Sequence, residues 1–228
     1  MTTQSITVFG ALFSPFVRKV HVVAAEKGIA VEVRPGNGPA ASPEFLAASP
    51  FRKIPAMKHG DYSLADSTAI AMYLEALYPA PAMYPAEPRT RGRAVFFEEF
   101  ADTVLAAAGG KIVFNRVVKP RFLKLPCDED VAKLGETELA PLLAWFEGQA
   151  LDTGSPETGW PENKWLAGDA FSIGDIAVAS VFTTLGYAGI GPDAATAPRT
   201  AAWLARVCAR PTWAAVAAVE AAAWKDSA

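Results

Sequence analysis

The 228-residue sequence has few cysteines, few histidines and no close pairing of either. Cys127 and Cys208 lie far apart and form no C-x-x-C motif, which argues against a disulfide framework and against a zinc site. His21 and His59 have no second metal ligand near them in the sequence, so we expect both to be structural or surface residues and predict no metal. Because disulfides belong to oxidising compartments, the default location is the cytoplasm.

The sequence also lacks a strong charge of either sign and a long hydrophobic run. The net charge is −3 at pH 7, and basic residues are not clustered in a long run. Nucleic-acid binding depends on such clusters, so we expect no nucleic-acid partner. No apolar run approaches the roughly 18–20 residues of a membrane span, and the first residues do not resemble a signal peptide. What is present is a 51% hydrophobic chain, enough for a sizeable core. Small-molecule ligands are the expected partners.

Short strand patterns and helical patterns alternate in the first third of the chain. Ser14 and Pro15 open an amphipathic helix that Gly28 ends, since serine favours the N-cap, proline the first turn and glycine the residue after the helix. Strand patterns flank it, and a short helix, a hairpin turned at Gly60-Asp61 and a further helix follow. The predicted strands are residues 5–9, 30–34, 56–59 and 62–64, and the later helices are residues 42–48 and 67–78. The order βαβ-α-ββ-α is that of a thioredoxin-like α/β domain.

The composition changes after residue 79. Residues 79–88 contain four prolines in ten residues, which is typical of a linker. Every sizeable periodic segment after residue 90 is helical, including a long one that we expect to break or bend near Gly109-Gly110. Ser172 and Asp175 have the spacing of a capping box and precede a nearly all-apolar segment, which predicts a central buried helix. We therefore predict a thioredoxin-like domain over residues 1–79, a linker over 80–89 and an all-helical domain over 90–228.

The segment from Lys53 to Ser67 carries two features that suit a small anionic peptide. Pro55 donates no hydrogen bond, so the backbone of Ile54 is open to an extended ligand at a strand edge. Asp66-Ser67 opens a helix, where a hydroxyl and free N–H groups can bind a carboxylate and the Asp66 carboxylate can hold an ammonium. The plainer interpretation is that Asp66 and Ser67 only cap the helix and that Lys53 is a solvated surface lysine.

These motifs resemble the glutathione-binding half of the cytosolic glutathione S-transferases. The resemblance implies that Ile54, before a cis-proline at Pro55, pairs with the cysteinyl part of glutathione, and that Asp66 and Ser67 hold the γ-glutamyl amine and carboxylate. In that family the acid is more often Glu, and Asp66 is one methylene shorter. A W-L-x-G-D run before the Ser172 capping box resembles the second domain of the family, so the likeness spans essentially the whole chain.

The resemblance also implies a chemistry. Glutathione reacts as a thiolate, and a free thiol with a pKa near 8.5 is only a few per cent ionised at neutral pH. The SPF-x-x-K/R-V pattern at Ser14 resembles the serine-type members, including tau and theta-like classes, and we expect a bacterial one. Ser14 would donate to the sulfur, Lys53 would approach the glycyl carboxylate, and the bound thiolate would attack a hydrophobic electrophile. The alternative is that Ser14 only caps its helix.

Several functional alternatives stay open at the level of sequence. The same thiolate could serve an isomerase, a reductive dehalogenase, an ether-cleaving enzyme or a peroxidase, and the shortened Asp66 leaves room for a non-catalytic binding protein on the same fold. We expect glutathione as a co-substrate and no permanently bound cofactor. The resemblance suggests a homodimer, in which Phe51 would enter the partner subunit, although packing within the chain is the alternative. For the electrophile pocket, formed mostly by the helical domain, the candidates are Phe13, Phe16, Ile112 and Trp224, each of which could instead be core.

Overall fold

A computed structural model describes residues 5–36, 41–150 and 165–226 of the chain. Contacts between residues divide the chain into two units, of which the first comprises Met1–Met83 with Pro211–Lys225 and the second comprises Tyr84–Arg210 with Asp226–Ala228. Nearly all of the last helix, Pro211–Lys225, thus belongs to the first unit by its contacts, whereas the sequence-based prediction included it in the helical domain of residues 90–228.

The first unit is built on a four-stranded mixed sheet in the order β2-β1-β3-β4. Strand β1 pairs in parallel with β2 and antiparallel with β3, and β3 continues antiparallel to β4. The strands are β1 (Ile6–Phe9), β2 (Val31–Arg34), β3 (Ala56–His59) and β4 (Tyr62–Ala65), and the helices of this unit are α1 (Pro15–Glu26), α2 (Pro43–Ala48), α3 (Ser67–Leu77) and α9 (Pro211–Asp226). The predicted thioredoxin-like arrangement is confirmed.

The core of this unit follows from the predicted periodicities. Every residue of β1 is buried, as expected for a central strand, and Phe9 at its end packs against Phe45 of α2 with ring centroids 6.1 Å apart. Helix α1 buries Val17, Val20 and Ala24, which are three or four positions apart and so lie on one face of the helix. The end of β1 thus packs against α2 in one apolar cluster.

A buried lysine joins the end of α1 to the segment after α3. Lys27 Nζ donates to the carbonyls of Tyr78 at 2.7 Å and Pro81 at 2.9 Å, and it pairs with Glu75 at 2.6 Å. The carbonyls at the end of α3 have no partner within the helix, and the lysine satisfies one of them. The beginning of the proline-rich segment is therefore anchored to the first unit.

The second unit is helical in all of its longer segments that the structure describes. Three of its helical stretches continue as π-helix, at Phe100–Leu105, Phe114–Leu123 and Phe146–Ala150. Its α-helices are α4 (Pro88–Glu99), α5 (Ala106–Val113), α6 (Glu129–Trp145), α7 (Ile173–Gly186) and α8 (Pro198–Cys208). No helix in the described ranges is long and apolar enough to cross a membrane.

The expected break at Gly109-Gly110 is wrong. Both glycines lie inside α5, and the irregular π-helical turns flank that helix instead. A Cβ atom at Gly109 would come within 2.9 Å of Leu185 Cδ2 on α7. Glycine at this position permits the close approach of α5 and α7 and leaves the helix unbroken.

The predicted capping box at the start of α7 is present. The Asp175 carboxylate accepts hydrogen bonds from the Ser172 amide and hydroxyl, both at 3.1 Å. It also accepts from the Leu166 amide at 3.0 Å and from the Trp203 indole at 2.9 Å. Burial raises the pKa of Asp175, and these four donors oppose that rise. As the apolar pattern predicted, α7 is almost entirely buried.

Candidate functional site

Ser14 lies at the N-terminus of α1 with extended backbone angles, as an N-cap residue should. Its side chain nevertheless makes no capping hydrogen bond to the helix. The hydroxyl therefore remains available at a helix end whose free N–H groups favour negative charge. Gly10, at the end of β1, lies against Val17 of the same helix and against Ile54, and a Cβ added to Gly10 would stand 3.4 Å from the Ile54 Cβ. The start of α1 and the Ile54 loop are thus neighbours.

The loop before β3 presents an open backbone. The Ile54–Pro55 peptide is cis, the isomer that the family resemblance implies. Within the described part of the chain, the amide and the carbonyl of Ile54 have no backbone partner. The preceding turn is held by Ser49, whose hydroxyl accepts from the Lys53 amide at 3.0 Å and donates to the Lys53 carbonyl at 2.7 Å. The Lys53 side chain is exposed.

Asp66 and Ser67 come next to this loop through the hairpin. The Asp66 amide donates to the Pro55 carbonyl at 3.3 Å, so the start of α3 is bonded directly to the loop. Asp66 has φ of +83°, a region that L side chains avoid at a cost of about 1–3 kcal/mol. Its Oδ1 caps α3 by accepting from the amides of Thr68 at 2.9 Å and Ala69 at 3.0 Å.

The capping by Asp66 decides which groups are left for a ligand. Because Oδ1 occupies the amides of Thr68 and Ala69, the donors still open at this helix end are the amide and hydroxyl of Ser67. Ser67 is 4% exposed, whereas the Asp66 side chain faces solvent and keeps Oδ2 clear of the cap. A carboxylate on Ser67 and an ammonium on Asp66 Oδ2 are the groups that this arrangement suits.

Sequence reasoning missed the contribution of α1 to the same corner. Lys19 is completely buried, and its Nζ donates to the Thr68 hydroxyl at 3.0 Å, one residue beyond Ser67. Lysine is usually exposed and is buried only where other groups pair with it. Because that partner comes from another helix, the local sequence pattern does not mark Lys19 as buried. The contact places a basic group beside the helix start proposed for a carboxylate.

The sequence also gave no sign of the buried ion pair between α1 and α9. Arg18 and Glu220 are both almost fully buried, and Arg18 Nε donates to Glu220 Oε2 at 2.7 Å while Nη2 pairs with Oε1. His21, one turn along α1, has its pKa lowered by burial, and the negative charge of Glu220 opposes this shift. At the other end of the same helix pair, the Thr212 hydroxyl bonds Glu26.

The structure divides the four aromatic and apolar pocket candidates. Phe13 and Trp224 meet edge to face with ring centroids 5.7 Å apart, and both are half-buried, as is Phe16. Ile112 lies in the other unit, where it is completely buried and close to Gly135 of α6. A side chain with no exposed surface offers nothing to a ligand, so we leave Ile112 out of the proposed pocket.

Neither histidines nor cysteines gather into a site. Among the described residues no group of three or more His, Cys, Asp or Glu side chains has the arrangement of a metal site. Cys127 and Cys208 are both free thiols and exposed. His59 of β3 is hydrogen-bonded through Nδ1 to the hydroxyl of Tyr73 of α3 at 2.8 Å. The groups that converge are those of Ser14, Ile54, Asp66 and Ser67.

Comparison with known proteins agrees with this geometry. Residues 8–82 match the family model described as glutathione S-transferase, N-terminal domain, and residues 110–211 match its C-terminal domain. The chain belongs to the glutathione S-transferase family. It is 30% identical to glutathione S-transferase F10 of Arabidopsis thaliana, over 93% of this chain and 96% of that one, and 30% identical to glutathione S-transferase 3 of Zea mays, over 91% of each.

Solved structures of this family have the same fold as this chain. A glutathione S-transferase I structure with bound lactoylglutathione superimposes with a TM-score of 0.77 and 26% identity, covering 94% of this chain and 99% of that chain. The likeness therefore extends through both units.

Proposed function

We propose that this glutathione S-transferase uses Ser14 to stabilise the thiolate of bound glutathione, which then attacks a hydrophobic electrophile. The observation that carries the proposal is the hydroxyl of Ser14, which stands at the N-terminus of α1 and makes no capping bond. A serine that served only as a cap would use its oxygen on the helix amides. Here the hydroxyl is left to donate to an anion placed at the helix end.

The same corner supplies groups for each part of glutathione. The open backbone of Ile54, next to the cis peptide at Pro55, suits the cysteinyl amide and carbonyl of an extended peptide. The open Ser67 amide and hydroxyl suit the γ-glutamyl carboxylate, Asp66 Oδ2 suits the amine, and the exposed Lys53 ammonium suits the glycyl carboxylate as a mobile point charge. The shorter Asp66 side chain is compatible with this role because it caps the helix through one oxygen only.

The electrophile is expected to be apolar. Phe13, Phe16 and Trp224 are aromatic, half-buried and close to Ser14 in the first unit, where Phe13 and Phe16 flank it in the sequence. Aromatic faces of this kind favour apolar, flat or polarisable substrates. We further propose a cytoplasmic homodimer. Its support is Phe51, whose side chain is 85% exposed and therefore has no place in the core of its own chain.

Ser14→Ala tests the proposal, because it separates binding from chemistry. Without the hydroxyl the bound thiol should lose its donor, and its pKa should move toward the free value near 8.5. We expect turnover at neutral pH to fall about 10-fold or more, and to recover partly as the pH rises and the thiol ionises unaided. Glutathione affinity should survive, since Ile54, Asp66 and Ser67 remain.

The measurement is the thiolate absorbance of the enzyme–glutathione complex titrated against pH, with turnover measured on an activated chloronitroaromatic. Calorimetry on the same samples gives the glutathione dissociation constant. Titration curves of wild type and Ser14→Ala that superimpose would show that Ser14 acts only at the helix start. Another group would then have to stabilise the thiolate.

A further inference from the structure

We infer that Arg18 and Glu220 are positioning residues for Ser14, so that the last helix of the chain takes part in setting the pKa of the glutathione thiol. The inference rests on the role proposed for Ser14. Glu220 fixes the guanidinium of Arg18 through two bonds, and both side chains are almost fully buried. An ion pair held in this way leaves the guanidinium little freedom, because its planar donors match the carboxylate.

The fixed guanidinium contacts the backbone next to Ser14. Arg18 Nη2 donates to the carbonyl oxygen of Phe13, the residue that precedes Ser14, at 3.5 Å, and the Arg18 amide donates to the Ser14 carbonyl at 2.9 Å as the first helical bond of α1. Arg18 therefore bonds the two carbonyls on either side of the Ser14 Cα, one through its side chain and one through its amide. The direction of the Ser14 hydroxyl depends on that backbone.

A second contact joins α9 to the side chain of Phe13, the residue before Ser14. Trp224, one turn beyond Glu220, packs edge to face on the ring of Phe13. The loop that carries Ser14 is thus supported by α9 through one polar and one aromatic contact. Both supports come from a helix about 200 residues later in the sequence, as the Arg18–Glu220 separation of 202 positions shows. This agrees with the grouping of Pro211–Lys225 with the first unit.

The chain offers a matched control in the same pair of helices. The Thr212 hydroxyl bonds Glu26, so it also joins α9 to α1, but at the end of α1 that is farther from Ser14. Glu220→Gln weakens the pairing with Arg18 while keeping the side-chain shape. Thr212→Val removes one bond between the same helices without touching the Phe13–Ser14 peptide. A general loosening of α9 would affect both variants alike, whereas a positioning role would separate them.

The experiment titrates the thiolate absorbance of glutathione bound to the full-length protein in wild type, Glu220→Gln, Thr212→Val and Ser14→Ala. We expect Glu220→Gln to raise the apparent thiol pKa by about 0.5 to 1 unit, because a misplaced hydroxyl donates less effectively. Thr212→Val should titrate like wild type. The glutathione dissociation constant should change less than about threefold in both variants, since neither touches the residues proposed to bind glutathione.

Two results would overturn the inference. One is a wild-type thiol pKa in folded Glu220→Gln, and the other is an equal shift in Glu220→Gln and Thr212→Val. If Ser14→Ala also leaves the thiol pKa unchanged, the proposed role of Ser14 itself fails. A shift in Ser14→Ala without one in Glu220→Gln rejects the positioning role alone.

Should Glu220→Gln not fold, the double variant Arg18→Met, Glu220→Leu decides. Replacing both members of a buried ion pair by apolar residues of similar size often preserves stability. This variant also removes the donor to the Phe13 carbonyl. We expect it to fold and to show the raised thiol pKa, and a wild-type thiol pKa in it would reject the inference.

Discussion

Replacing Asp175 by Asn measures how much of the stability of the helical unit depends on one buried carboxylate. The two carboxylate oxygens divide four donors equally, with Oδ1 accepting from the Leu166 amide and the Trp203 indole and Oδ2 accepting from the amide and hydroxyl of Ser172. An asparagine side chain has the same shape but offers one oxygen and one NH2 group. In either orientation, its NH2 group meets two donors that have lost their acceptor.

The size of the effect follows from that count. Each buried donor left unsatisfied costs about 1–3 kcal/mol, so two of them predict a loss of about 2–4 kcal/mol after some local relaxation. Removal of a buried charge offsets part of the cost, because burial disfavours the ionised form and raises the pKa of Asp175. The net loss is a large share of the stability of an ordinary domain, which is about 5–15 kcal/mol.

Urea denaturation followed by circular dichroism is the assay, with Ser172→Ala as the control. Ser172→Ala removes the hydroxyl that donates to Asp175 Oδ2 and that accepts from the Asp175 amide in the capping box, and it should cost about 0.5–2 kcal/mol. The glutathione dissociation constant of folded Asp175→Asn should equal that of wild type, since Asp175 lies in the second unit. If Asp175→Asn loses less than about 1 kcal/mol, the four hydrogen bonds of this carboxylate contribute little to the stability of the unit.

Two further predictions concern the first unit. Ser67→Ala should weaken glutathione binding by about 1–3 kcal/mol, the cost of a charge-assisted hydrogen bond, and an unchanged dissociation constant by calorimetry would reject the assignment of Ser67. His21 should make the protein less stable in mild acid, because burial lowers its pKa below the value of about 6.5 that it has when unfolded, and the unfolded chain therefore binds more protons. The stabilisation from neutral His21 is complete above about pH 6.5 and is lost as the pH falls through the pKa of the folded state. His21→Gln should therefore make the melting temperature less dependent on pH in this range. Melting temperatures of wild type and His21→Gln that depend equally on pH would contradict this role of His21.

Local features of the fold could be predicted from the sequence because they depend on neighbouring residues. Strand alternation, proline in the first turn of α1 and the Ser172–Asp175 spacing are local patterns, and the structure confirms the elements that they predict. The break expected at Gly109-Gly110 is wrong for a related reason. Glycine in a helical pattern locally indicates a possible break, but Gly109 is next to Leu185 of another helix, where a larger side chain would clash.

The long-range contacts could not be predicted from a single sequence. The indole of Trp203 reaches Asp175 across 28 positions, and Glu147 caps the start of α8 by accepting from the amides of Arg199 and Thr200 more than 50 positions away. Nothing near these residues in the sequence marks their partners. Charged residues are usually exposed, so composition would also have placed Arg18, Lys19 and Glu220 on the surface.

Departures from local rules therefore do not by themselves identify a functional site, and the distinction lies in whether the departure is satisfied within the chain. Asp175 is a fully buried carboxylate, but four donors complete its hydrogen bonds and leave nothing for a ligand. Asp66 also breaks a rule, with φ of +83°, yet it uses one oxygen for the cap and leaves the other outside it.

Ser14 also occupies a cap position and keeps a polar group outside the cap: Asp66 keeps one carboxylate oxygen, and Ser14 keeps its whole hydroxyl, which makes no capping bond. Ile54 is similar, since its backbone groups have no backbone partner among the described residues. A buried or strained polar group whose hydrogen bonds are all made within the chain stabilises the fold. A polar group that is held in place but lacks a hydrogen-bond partner within the chain is available to a ligand. By that criterion the corner formed by Ser14, Ile54, Asp66 and Ser67 is where this chain is built to bind, and the capping box of α7 is where it is built to fold.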